Sequence, residues 1–150
     1  QFTNEVFEKG WYGLEREAVS LYTFGHLLQQ CRPGGVLRDA TQIGIEVRVP
    51  QLEGPGKKPR VCKDLIIWSR PWMNCWNEDR HPIQYPAAIL EWKVDRPRIS
   101  KRDVQWLCAF SENLDDFVGF AVCLDLRERN FRLSCTRVHG GRAQSRWLLL

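Results

Sequence analysis

Apolar positions recur at helical spacing from Leu14 to Cys31, where Leu14, Ala18, Leu21, Tyr22, Gly25 and Leu28 share one stripe, and the spacing predicts a first helix. Pro33-Gly34-Gly35 ends it. The period then changes to two. Ile43 to Val49 alternates as a strand, Gly54-Pro55-Gly56-Lys57-Lys58-Pro59 is a turn, and the run from Val61 to Trp68 is a second strand, so the pair predicts a hairpin. Ser69 to Pro86 holds Pro71, Pro82 and Pro86 with Trp72, Trp76 and His81, which predicts a long ordered excursion. Its aromatics could stack on bases or form a satellite cluster over the sheet. A third strand follows from Ala88 to Val94. Ser100 is the N-cap of a helix through about Asn113, with Val104, Leu107, Cys108 and Phe110 or Ser111 as its buried stripe. Two further strands, Val118 to Arg127 and Phe131 to Val138, complete an α/β sandwich with a mixed sheet. The strand-helix-strand unit around Ser100 predicts a right-handed crossover between parallel strands.

Against this apolar background, three charges stand where strands prefer apolar side chains. Asp64 interrupts Val61-Cys62-Lys63-Asp64-Leu65-Ile66-Ile67-Trp68, and Glu91 and Lys93 interrupt Ala88-Ile89-Leu90-Glu91-Trp92-Lys93-Val94. Period-two geometry puts Glu91 and Lys93 on one face with Ile89, while Leu90, Trp92 and Val94 point to the other; one face is expected to be core and the other to carry charge. On neighbouring strands the carboxylates of Asp64 and Glu91 could approach to roughly 5 Å, where they repel by about 3 kcal/mol at an effective dielectric near 20. A divalent cation removes that penalty. Hard oxygen donors suit Mg²⁺ or Mn²⁺ rather than zinc, and Cys75 with His81 offers too few ligands for a four-coordinate zinc site. The competing reading is a solvated Glu-x-Lys on an exposed face and an Asp at a strand end.

Composition narrows the setting. A chain of 150 residues with 43% hydrophobic content is sized for one domain and one core. No run approaches the roughly 18 apolar residues of a membrane span. The six cysteines are scattered without a Cys-x-x-Cys pair, which predicts buried free thiols and a reducing, cytoplasmic compartment. Net charge is only +4, but arginines crowd the last quarter at Arg127, Arg129, Arg132, Arg137, Arg142 and Arg146, and Arg96, Arg98, Lys101 and Arg102 follow the Glu-x-Lys strand. Such stretches suit phosphate contacts, and each taken singly also suits a solvated surface.

The order of elements, with Asp64 on the second strand and Glu91-x-Lys93 on the third, resembles the PD-(D/E)XK nuclease superfamily, the restriction-endonuclease-like fold. The resemblance runs roughly from Leu14 to Val138 and rests on topology more than on letters. It implies an α-β-β-β-α-β-β sandwich and a Mg²⁺- or Mn²⁺-dependent endonuclease hydrolysing phosphodiester bonds, with DNA preferred over RNA. It further implies that Asp64, Glu91 and the backbone carbonyl of Trp92 hold the metal, and that Lys93 positions the attacking water. An acid in the first helix contributes in similar proteins. Within Gly13-Leu14-Glu15-Arg16-Glu17-Ala18-Val19 the match is Glu15; Glu17, about 200° away around the helix, is the alternative. Lys63 stands where a Pro often precedes the Asp, and the excursion lengthens the spacing to Glu91. One site per chain would need a homodimer or two visits to cut both strands. The alternative function is a catalytically inactive nucleic-acid- or protein-binding module of the same fold.

Overall fold

The computed structural model describes residues 2–51, 59–127 and 131–150. The predicted turn at 54–58 and Arg129 lie outside the described residues. One six-stranded mixed sheet organises the chain, its strands β1 (Ile43–Pro50), β2 (Arg60–Ile67), β3 (Ala88–Val94), β4 (Val118–Asp125), β5 (Arg132–His139) and β6 (Arg142–Leu149) lying side by side in sequence order. β1, β2 and β3 form an antiparallel meander; β4 runs parallel to β3, and β5 and β6 return antiparallel. The predicted hairpin and the parallel strand-helix-strand unit are both present, the latter through α3 (Lys101–Ser111).

Helices pack on both faces. α1 (Phe2–Glu8) and α2 (Glu15–Tyr22) bury Phe2, Val6, Ala18 and Val19 against Leu65, Trp92, Val122 and Leu124. On the opposite face α3 buries Leu107 and Phe110 against Ile66, Ile89, Ala121 and Val138. Ser100 caps α3 as expected, its Oγ accepting the Asp103 N–H at 3.3 Å. The close approach of α3 to β4 depends on Gly119, where a Cβ would come within 2.9 Å of Leu107. Among the described residues no helix is long and apolar enough to cross a membrane.

Three elements differ from expectation. The helix predicted from Leu14 to Cys31 is α-helical only through Tyr22, then continues as a π turn (Thr23–Leu27) and a 3₁₀ turn (Leu28–Gln30). α1 was not expected, because seven residues with Phe2 and Val6 as a single buried i, i+4 pair give almost no period to read. β6 was not expected either, so the order is α-α-β-β-β-α-β-β-β. All of its residues are exposed, so no alternation marks it. Its signal is the turn: Gly140 and Gly141 both have positive φ, 53° and 73°, as a two-residue hairpin loop demands, and His139 pairs with Arg142 across it.

The Trp-rich excursion is mainly structural. Trp68, Met73, Cys75 and Trp76 join the cluster beneath α3, and the Trp76 indole N–H donates to the Arg48 carbonyl at 3.2 Å. Trp72, in contrast, is 82% exposed. The six cysteines are free thiols as expected, but only Cys75, Cys123 and Cys135 are buried; Cys31 and Cys108 are half-buried and Cys62 is exposed.

Candidate active site

The singled-out charges gather where β2 and β3 stop pairing. Their ladder covers only Ile67↔Ala88, Ile66↔Ile89 and Leu65↔Leu90. At the next step Asp64 and Glu91 would stand opposite each other. There the Asp64 side chain takes over from the ladder, Oδ2 accepting the Trp92 N–H at 2.7 Å. A carboxylate thus substitutes for a backbone carbonyl, and the buried N–H keeps a partner.

Alternation also slips at this point. Leu65 packs toward α1 and α2, and Ile66 packs toward α3. Strict period two would put Asp64 with Ile66 and Lys63 with Leu65. Instead Asp64 lines a cavity with Glu15, Val19 and Ser20 of α2, and Lys63 lies over Trp106 of α3. β1 slips at the same level: Ile43 and Ile45 face α2, Val47 and Val49 face α3, and the residue between, Glu46, has φ of 52° and drops out of a register that resumes unshifted. A left-handed Glu is a strained conformation. It places Glu46 on the wall of the same cavity, about 360 Å³, that Asp64 and Glu15 line.

β3 keeps its alternation. Leu90, Trp92 and Val94 face α1 and α2, and Ile89 faces α3, as the period predicts. The expectation of an open charged face fails, however, because α3 covers it, and Glu91 is only 6% exposed. Burial raises its carboxyl from the ordinary 4.5 to about 7; Lys63 pulls the other way, while Asp64 and Asp103 add repulsion. Its Oε1 accepts from the Lys63 ammonium.

Lys93 binds across the sheet to α2. Its Nζ lies 3.1 Å from both Glu15 oxygens and 2.6 Å from the Trp92 carbonyl, with Asp103 Oδ2 at 3.8 Å. Burial acts against its charge, but the hydrogen bond and charge of Glu15 prevail and its pKa is raised. Lys93 is therefore an ammonium, a donor rather than a base, at neutral pH. Between the two candidate helix acids the contacts differ clearly. Glu17 turns back on its own helix, accepting the Leu14 N–H at 2.6 Å, while Glu15 reaches Lys93.

No protein-family model, curated protein or solved structure matches this chain. The site is therefore read from its own chemistry. Asp64 and Glu15 share one cavity, whereas Glu91 lies beyond the strand opening on the α3 side, held by Lys63. Among the described residues no cluster of three or more His, Cys, Asp or Glu side chains is gathered to hold a metal. The donor chemistry still fits a hard divalent ion. Asp64 commits Oδ2 and Glu91 commits Oε1, which leaves Oδ1 and Oε2 without hydrogen bonds among the described residues. One or two carboxylates, with water and phosphate completing the shell, is the usual protein contribution to a Mg²⁺ site.

Besides Glu46, two charged groups escaped the sequence reading. Asp103, in the first turn of α3, has a buried Oδ2 without a hydrogen bond, adds repulsion at Glu91, and lies near Lys93. Its position three residues after Ser100 reads as an ordinary helix-start acid. Lys63 was read only as a departure from Pro, because a Lys beside an Asp in a strand reads as solvated.

Proposed function

We propose that this chain is a metal-dependent phosphodiester hydrolase, a nuclease of the PD-(D/E)XK type acting on DNA in preference to RNA. The observation that carries the reading is the meeting of Lys93 with Glu15, separated by 78 positions, beside the strand opening that Asp64 and Glu91 flank. The sheet order and the parallel crossover through α3 support it.

Asp64, Glu91 and the backbone carbonyl of Trp92, which accepts from the Lys93 ammonium, would hold Mg²⁺ or Mn²⁺. Bound there, the ion supplies Lewis-acid polarisation of a phosphate oxygen and a lower pKa for water. Lys93, kept charged by Glu15, donates hydrogen bonds to the attacking water or to charge building on the phosphate. Glu15 positions Lys93 and stands on the cavity wall with Asp64. Exposed arginines such as Arg16 and Arg48 supply sequence-independent attraction for a phosphate backbone.

A second reading is favoured by the Lys63–Glu91 pair. A buried acid already neutralised by a lysine is what a purely structural ion pair presents, and it suits a binding module that has no chemistry. Incubation with supercoiled DNA, single-stranded DNA and RNA, with Mn²⁺, Mg²⁺ or chelator, separates the two. The hydrolase cuts DNA only with metal, and Glu91→Gln and Lys93→Ala remove the cutting; binding without metal-dependent cutting of any substrate contradicts it.

A further inference from the structure

Lys63 is an unusual residue for its place. It is 4% exposed, in the middle of a strand, on a face otherwise built from Val61, Ile66, Ile89 and Leu107. Lysines that border such faces normally run their stems along the surface and keep the ammonium in water. This one is enclosed instead. Its ammonium donates to Glu91 Oε1 and sits 3.4 Å from the centroid of the Trp106 ring, an attractive cation–π position. The ring is itself fixed, its N–H donating to Gln51 Oε1 at 3.0 Å. Lys63 and Glu91 thus form a closed pair, with Trp106 of α3 as its lid.

We infer that Lys63 is a resident counter-cation that competes with a divalent metal for Glu91, so that this side chain sets the metal affinity of the site. The inference rests on the proposed hydrolase reading. Without metal, the ammonium neutralises a carboxylate that burial would otherwise penalise heavily. A divalent ion at Glu91 either takes Oε1 from the ammonium or takes Oε2 with that positive charge still bonded to the same carboxylate, and in both cases the two cations repel each other. Affinity is then lower than two acids alone would give, and binding displaces Lys63. Trp106 offers the ammonium a second partner, which lets it withdraw without losing all its contacts.

Calorimetric titration with Mn²⁺, alone and free of nucleic acid, tests this on the full chain. Lys63→Met keeps the side-chain length and removes the charge. It should melt at a lower temperature than the wild type in chelator, gain more from Mn²⁺, and bind Mn²⁺ at least about tenfold tighter, a change worth about 1.4 kcal/mol. Equal or weaker binding by Lys63→Met, with wild-type binding still abolished by Asp64→Asn, overturns the role of Lys63 and leaves the metal site standing. Absence of Asp64-dependent Mn²⁺ binding in both proteins overturns the hydrolase reading and this inference together. If Lys63→Met does not fold, the wild type answers by nuclear magnetic resonance. The ring current of Trp106 displaces the Lys63 ε-methylene signals, and saturating Mg²⁺ should move them; static Lys63 signals alongside a responding Asp64 amide contradict the competition.

Discussion

Strand β3 has two neighbours and meets them differently. With β4 it pairs continuously from Ala88↔Val118 to Val94↔Leu124, parallel and mostly apolar, clamped on one side by α3 over Gly119. With β2 it pairs only from Ile67↔Ala88 to Leu65↔Leu90, and the ladder stops one step before Asp64 and Glu91 would pair. The β4 side is mostly buried, while on the β2 side Asp64 is half-buried and Cys62 is exposed. The facing side chains account for the change in pairing. Where apolar residues fill the facing positions, backbone groups bond to each other. Where acids do, a carboxylate takes an N–H, an ammonium takes a carboxylate, and the strands part. The β3–β4 seam supports the fold, and the β2–β3 opening gathers the charged side chains.

Substitutions on the two sides should therefore separate activity from stability. The largest effect belongs to the opening: Asp64→Asn or Lys93→Ala should lower metal-dependent DNA cleavage by about a thousandfold, the scale expected when charge stabilisation at a phosphate is lost. Circular-dichroism melts should show the folded state retained. On the other side, Leu107→Ala should cost about 2–5 kcal/mol of stability through an unfilled cavity over Gly119, measured by urea unfolding. Its effect on cleavage at a temperature where the protein stays folded should be small. Reversal of this pattern, with Leu107→Ala silent in unfolding, would break the distinction.

This division was legible in part. The strands β1 to β5, α3 and its Ser100 cap could be read because their apolar periods are long enough to be unambiguous. So could the placement of Asp64 on β2 and of Glu91 and Lys93 on β3. The face that Asp64 uses was not legible. Period two assumes a regular strand, and the slip at Asp64 and Glu46 is set by cross-strand contacts and a left-handed Glu46 that no local pattern announces. Burial of Glu91 was missed for a related reason, since covering that face depends on α3 packing over it rather than on β3. The Lys63–Trp106 contact joins residues 43 positions apart and has no sequence signature. β6 did have one in Gly140-Gly141, but the strand is exposed throughout and ends in the unbroken apolar run Trp147-Leu148-Leu149, so no alternation accompanies the turn.

A smaller effect sharpens the contrast through pH. Burial holds the Glu91 carboxyl at about 7 in the folded chain against 4.5 ordinarily, so between those values the folded chain keeps a proton that the unfolded chain has released. The stability this group contributes is complete below the lower value and is lost as pH rises through the upper one. One pKa unit corresponds to about 1.4 kcal/mol. Urea unfolding in chelator should show wild type losing stability relative to Glu91→Gln across this window; a pH-independent difference would contradict the raised carboxyl. The smallest effect is expected at the cavity rim. The Arg16–Glu46 pair is exposed, with 84% of the Arg16 side chain open to water, so Arg16→Ala should change stability by less than about 1 kcal/mol. If Arg16 helps attract a phosphate backbone, the same variant should weaken DNA binding more at low salt than at high salt.

The most direct test is a crystal of the protein soaked in Mn²⁺ with data collected to show anomalous scattering. The account predicts one strong peak in direct contact with the carboxylates of Asp64 and Glu91 at the β2–β3 opening. A peak elsewhere, or none at saturating Mn²⁺ with both acids still bonded as in the metal-free chain, would contradict it.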